Sequence, residues 1–324
     1  MNNKDLKKVV ESALDKQKVP HVKLKKIGAS KVDVASLTEP SKETRQEYWG
    51  KGLTYCAIIL IIILVASIIG FIGFHGLETF TKDHVNVFQF LTSSDWDPGE
   101  GKNHVGAAAM IVTSFSVTLL AALVATPFAI AVALFMTEYS SKNGARFLQS
   151  VIELLVGIPS VVYGFLGLTV IVPFIRNIFG GTGFGILSAT LVLFVMVLPT
   201  ITSLTVDSLK AVPSDYRKAS LALGATKWQT IYKVILRVAS PRIMTAVIFG
   251  MARAFGEALA VQMVIGNAVL MPANLVSPSA TLTSQLTSQM GNTVMGTLPN
   301  NALWSLALLL LIMSLVFNFL VRLI

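Results

Sequence analysis

Arg253 and Glu257 stand four residues apart and are the only charged side chains between Ile243 and Ile265. On an α-helix that spacing is about one turn, so guanidinium and carboxylate would share a face. A charge at membrane depth costs about 2.5 to 3.5 kcal/mol on insertion scales, so such groups turn toward a bundle interior or a water-filled path. Arginine would offer a planar fork of donors to a tetrahedral oxyanion in transit, with the acid positioning it and moderating its affinity. The same residues would also serve as a neutralised pair that only fixes packing.

The rest of the chain determines whether a membrane surrounds them. Its 324 residues are 53% hydrophobic and 13% charged, against about 25% charged in a soluble domain. Six apolar runs are long enough for helical crossings: Leu53 to Phe74, Gly106 to Thr137, Phe147 to Ile175, Ile186 to Val206, Ile243 to Ile265 and Ala302 to Leu320. Helices of about 20 apolar residues span the hydrocarbon and satisfy their own backbone groups. Pro127 predicts a kink or break in the second run. The expected fold class is therefore an all-α polytopic membrane protein with six transmembrane helices.

Twelve of the 26 Lys and Arg lie in residues 1–52 and seven in 207–242, whereas residues 76–105 hold two against five acids. The basic stretches are expected inside, with both termini cytoplasmic. This gives a cytoplasmic extension over 1–52, a first helix over 53–75, an extracellular loop over 76–105 and five further helices over 106–322. Leu6, Val9, Val10, Ala13 and Leu14 have helical period beside Lys4, Lys7 and Lys8, which fits either docking on anionic lipid or a solvated tail.

Segment 207–242 reads as two short helices. Ser214 is expected to cap the first, which ends at Gly224, while Thr226 and Gln229 have capping-box spacing for a second running through Ile235. In the third run, Gly157, Gly164 and Gly167 permit close helix approach, and Pro159 frees a carbonyl and weakens one turn. These four are hinge and packing candidates. Glu153 is either a snorkelling acid or a gate. Residues 277–297 carry nine Ser and Thr and no charge; Leu282, Leu286 and Met290 predict a short external helix, either a docking surface or a lid.

Several function classes drop out. One cysteine, Cys56, excludes a disulfide scaffold. His21, His75, His84 and His104 form no cluster, and no nucleophile motif accompanies them, so catalysis is not expected. No Gly-x4-Gly-Lys-Ser/Thr run exists to cradle a nucleotide. The net charge of +9 follows from the inside excess of basic residues, leaving nucleic-acid binding unsupported.

Lys218-Ala219-Ser220, followed by Gly224 and then Val234-Ile235-Leu236, resembles the "EAA" loop of bacterial ABC-importer permeases. It departs from that pattern with Lys218 for Glu, Ser220 for the second Ala, Val234 for Ile and Arg237 for Pro. The string from Arg253 to Asn267 (RAFGEALAVQMVIGN), with Glu153 to Leu168 (ELLVGIPSVVYGFLGL), resembles phosphate ABC-transporter permeases of the Pst type, most closely the C subunit, over roughly residues 53–324.

The resemblance implies a type I ABC-importer permease that forms part of a phosphate path and couples to separate ATPases. It implies path residues Arg253, Glu257, Gln262, Ser160 and Tyr163, and coupling residues Arg217, Lys218, Ala219, Ser220 and Gly224. It further implies a second permease subunit, two ATPase subunits and an external phosphate-binding protein in a bacterial plasma membrane, with no cofactor in this chain because the partners hold ATP and magnesium. Sulfate or molybdate as cargo, or an ion-coupled transporter without an ATPase, are the alternatives.

Overall fold

The computed structural model describes residues 42–323; the predicted amphipathic segment near the N-terminus lies outside them. The chain divides into two compact units, Met1–Leu64 and Val65–Ile324. The described part of the first is helix throughout, and its side chains from Ile58 to Leu64 are exposed. An uninterrupted aliphatic surface of that kind suits lipid as solvent. The helix, α1 (Lys42–Thr81), is longer at both ends than the 53–75 the sequence predicts.

In the second unit α1 is followed by α2 (Val87–Thr92), α3 (Ala108–Tyr139) and α4 (Lys142–Gly157). Next come α5 (Ser160–Phe179), α6 (Ile186–Lys210), α7 (Ser214–Ala222) and α8 (Lys227–Phe255). The chain ends with α9 (Leu259–Ile265), α10 (Leu282–Gln289) and α11 (Leu298–Leu323). Six of these, α1, α3, α5, α6, α8 and α11, are long and apolar enough to cross a membrane. Among the described residues there is no strand beyond isolated bridges, and the all-α six-helix expectation holds.

The centre is a packing of α3 along α6. Ala121, Ala125, Ala129 and Ala133 recur every four residues and are fully buried. Such a ridge of methyl groups lets a neighbouring backbone approach closely, which supplies the packing that association in lipid depends on. α6 answers with Ala189, Leu193, Val197 and Ile201. At its far end α1 joins α11 by polar contacts: Ser305 donates to the Gly76 carbonyl and lies 2.7 Å from both that oxygen and Thr79 Oγ1.

Several predicted boundaries move. The third crossing begins at Ser160 rather than Phe147, because Pro159 adopts ψ 139° and ends α4 outright instead of weakening one turn. α4 is a separate helix whose sequence alternates polar and apolar faces. The fifth crossing starts at Lys227, so the helix capped by Thr226 and Gln229 continues past Ile235 to Phe255 and then stops. Pro127 is carried within α3 without a break. Ser214 does not cap α7: Pro213 occupies that position, without a side-chain bond, and Ser214 is the first helical residue. The predicted helix at Leu282 forms, but its first turn is buried, since Thr281, Thr283, Ser284 and Gln285 are each under a tenth exposed.

Candidate functional site

Arg253 lies in the last turn of α8, and the chain leaves the helix at Gly256. That break changes the geometry the sequence predicts. Glu257 is no longer one helical turn along, and among the described residues no ion pair joins it to Arg253. Instead Arg253 Nη1 donates to Thr200 Oγ1 on α6 over 2.5 Å. Its Nε and Nη2 donate to no acceptor among the described residues, and the side chain is half-buried rather than sealed. A guanidinium fixed by one donor keeps the others free to donate, chemistry that suits an oxyanion among other acceptors.

Glu257 has a different duty. Its Oε1 accepts from Ala260 N at 3.2 Å, at the start of α9, where a carboxylate complements the exposed N–H groups and helix dipole. Its carbonyl accepts from Thr283 Oγ1 at 2.8 Å. Gln262, on α9, accepts from Thr287 Oγ1 through Oε1 at 2.8 Å. The acid and the amide thus tie the broken segment to α10.

Tyr163 and Ser160 belong to α5, on the far side of the Pro159 break. Tyr163 donates its hydroxyl to the Leu155 carbonyl of α4 at 2.8 Å, and Ser160 is half-buried at the first turn of α5. Two of the predicted glycines sit where α5 meets its neighbours. A Cβ on Gly164 would lie 2.8 Å from Met263 Sδ and 2.9 Å from Ala260 Cα, and one on Gly167 would lie 2.5 Å from Val192 Cγ2. Gly157 differs: nothing lies within 4 Å of such an atom, so it mediates no close approach.

The basic segment forms a hairpin of α7 and the start of α8. Gly224 has φ +83°, the left-handed conformation that ends α7 without Cβ strain. Thr226 and Gln229 form the predicted capping box. Lys218 is exposed and lies 3.5 Å from the likewise exposed Asp215, a contact worth little in water. Ser220 turns inward, 2.9 Å from Thr230 Oγ1, while Ala219 and Gly224 face out.

Arg217 is not at that outer surface. Its Nη2 lies 2.7 Å from Oε1 of Glu138, at the end of α3, and Nη1 donates to the Val212 carbonyl at 3.2 Å. Glu138 and Thr200 are the two partners sequence reasoning missed. An acid beside Tyr139 at the close of a long apolar run was a signal for the first, whereas a threonine in a membrane helix gave none for the second.

Residues 125–324 match the family described as the binding-protein-dependent transport system inner membrane component. The "Probable ABC transporter permease protein YqgH" of Bacillus subtilis is 51% identical over 87% of this chain and 92% of its own length. The "Phosphate transport system permease protein PstC" of Mesorhizobium japonicum is 32% identical over 81% of this chain and 84% of its own. A chain from a solved bacterial alginate ABC transporter, in complex with an alginate pentasaccharide-bound periplasmic protein, is similar with a TM-score of 0.60. That likeness covers 86% of this chain and 94% of the other at 14% identity, and it speaks to the fold alone.

Proposed function

The chain belongs to the binding-protein-dependent transport system inner membrane component family, and from that premise we propose that it is a permease subunit of an ATP-driven phosphate importer. The reading rests above all on Arg253, anchored to α6 through Thr200, with Nε and Nη2 unengaged among the described residues. Phosphate permease relatives such as the Mesorhizobium protein supply the cargo. Arg253 takes the anion's charge, and the N–H groups not used by Thr200 bind its oxygens. Glu257, Gln262, Ser160 and Tyr163 shape the surroundings of that site through α5, α9 and α10.

Energy comes from outside the chain. The hairpin presents an outward surface of Tyr216, Leu221, Leu223, Trp228 and Tyr232, all exposed, with Lys218 among them. That mix of aromatic, aliphatic and basic groups suits a separate ATPase, which would hold ATP and magnesium. In this reading a second permease subunit completes the path and an external phosphate-binding protein delivers the cargo. The hairpin and both termini then face the cytoplasm of a bacterial cell, a reading that the distribution of basic residues supports.

Reconstitution with co-expressed ATPase, second permease and binding protein tests it. Phosphate should stimulate ATP hydrolysis and enter vesicles, with sulfate and molybdate as competing cargoes. Stimulation by molybdate or sulfate but not phosphate would reassign the substrate. Phosphate transport by the purified chain alone would overturn the subunit reading.

A further inference from the structure

Glu138 lies in the π-helical turn Phe135–Tyr139 that closes α3, and its side chain is only 10% exposed. Arg217 reaches it from α7, with Nη2 at 2.7 Å and Nε at 3.3 Å from the same Oε1. The guanidinium also donates to the carbonyls of Val212 and Leu209, just past and within the last turn of α6, at 3.2 and 3.4 Å. Lys227, the first residue of α8, donates to the Glu138 carbonyl and lies 4.5 Å from the centre of the Tyr139 ring. This part-buried pair, with Lys227 on the Glu138 backbone beside it, therefore gathers the ends of α3 and α6 and both arms of the hairpin.

Such a junction resists separation. A carboxylate removed from water is stable only while its cation and donors replace hydration, so parting the two leaves a buried charge uncompensated. The helices beside it are softer. α3 ends in one π-turn, and α8 carries another, Ile231–Ile235, directly after its first turn. These wide turns interrupt the regular hydrogen-bond ladder and recur at functional sites. A displaced hairpin would thus carry Glu138, and the end of α3 with it, while the π-turn that holds Glu138 accommodates the change in direction.

We infer that Glu138 and Arg217 are positioning residues that pass displacement of the α7–α8 hairpin into α3. This rests on the hairpin being the surface on which a partner acts. From α3 the movement reaches α6 along the alanine ridge, and α6 carries Thr200, the anchor of Arg253. Arg217 acts from the inner face of the hairpin, leaving the outer face free for the partner.

The test uses the complete complex in vesicles and reads phosphate moved per ATP hydrolysed, a ratio that loss of folded protein alone does not change. Glu138→Gln and Arg217→Gln should each lower it about fivefold, the equivalent of about 1 kcal/mol of coupling, with assembly and basal hydrolysis retained. The double variant should be no worse than either single, because both act through one contact. Arg217→Lys, which keeps a charge on Glu138 but loses the fork, should give an intermediate ratio. Should either glutamine variant fail to insert, Arg217→Lys decides alone. A wild-type ratio in the inserted variants, or losses that multiply in the double, overturns the inference. A wild-type complex that moves no phosphate instead defeats the functional reading on which it stands.

Discussion

The Tyr163 hydroxyl donates to the Leu155 carbonyl at 2.8 Å, across the break that Pro159 makes between α4 and α5. Proline has no N–H, so the usual i+4 donor to Leu155 is missing. Ile158 N, at 3.3 Å, and Tyr163 replace it. The phenol is therefore a strap between two helices before it is anything else.

Tyr163→Phe should cost about 1 kcal/mol, the worth of one hydrogen bond. Thermal unfolding in detergent should move down by about 2 °C for a chain of this size, with phosphate uptake by the complex within about twofold of wild type. An unchanged melting temperature together with a collapse in uptake would place the hydroxyl on the cargo instead.

The glycines of the same region separate into two kinds. Gly164→Ala pushes a methyl group against Ala260 Cα, which is backbone and cannot swing away. Overpacking of this type costs about 1 to 3 kcal/mol. Gly157→Ala meets nothing and removes helix-destabilising freedom, so it should be neutral or stabilising by about 0.5 to 1 kcal/mol. Parallel melts of the two variants check the contrast, and equal losses would refute it.

How much of this was legible in the sequence depends on which forces set each feature. Lipid imposes length and apolarity on any crossing, so six helices could be counted from composition. Helix ends are decided more locally. Thr226 and Gln229 announce their capping box, and Gly224 its left-handed turn, because those bonds lie within a few residues. The end of α8 at Phe255 was hidden: nothing in Phe255-Gly256-Glu257 outweighs an apolar period that continues to Ile265. Contacts between distant segments, Arg253 with Thr200 and Arg217 with Glu138, leave no periodic trace at all.

That break makes a prediction about Arg253 and Glu257. Partners in an ion pair show strong coupling when both are removed, whereas groups with separate partners add. Arg253→Ala should lower phosphate uptake about tenfold to a hundredfold, the effect of losing a charged hydrogen-bonding group. Glu257→Ala removes the bond to Ala260 and should act through the placing of α9. The double variant should show the product of the two losses, within about twofold. A double variant no worse than Arg253→Ala would restore the ion pair that the sequence spacing implies. Thr200→Val, which leaves the guanidinium without its anchor, should raise the KM for phosphate more than it lowers kcat.

His104 and Asp95 give a pH-dependent contact outside the spanning helices. His104 Nδ1 lies 2.6 Å from Asp95 Oδ2, and the flanking chain is closed by Asp97 N to the His104 carbonyl at 2.7 Å. The hydrogen bond to Asp95, with the carboxylate's charge behind it, raises the imidazole above its ordinary range, and Glu100 and Asp97 add to the rise. A group whose pKa is higher folded than unfolded stabilises the fold fully below the unfolded value and loses that contribution as pH climbs through the folded one. The segment from Asp95 to Val105 should therefore be held best in mild acid and loosen toward alkaline pH, with a small amplitude because the pair is exposed. Proton titration of His104 by NMR should give a midpoint above that of a free histidine, and Asp95→Asn should bring it down. A midpoint unmoved by that substitution would show that the contact does not form in solution.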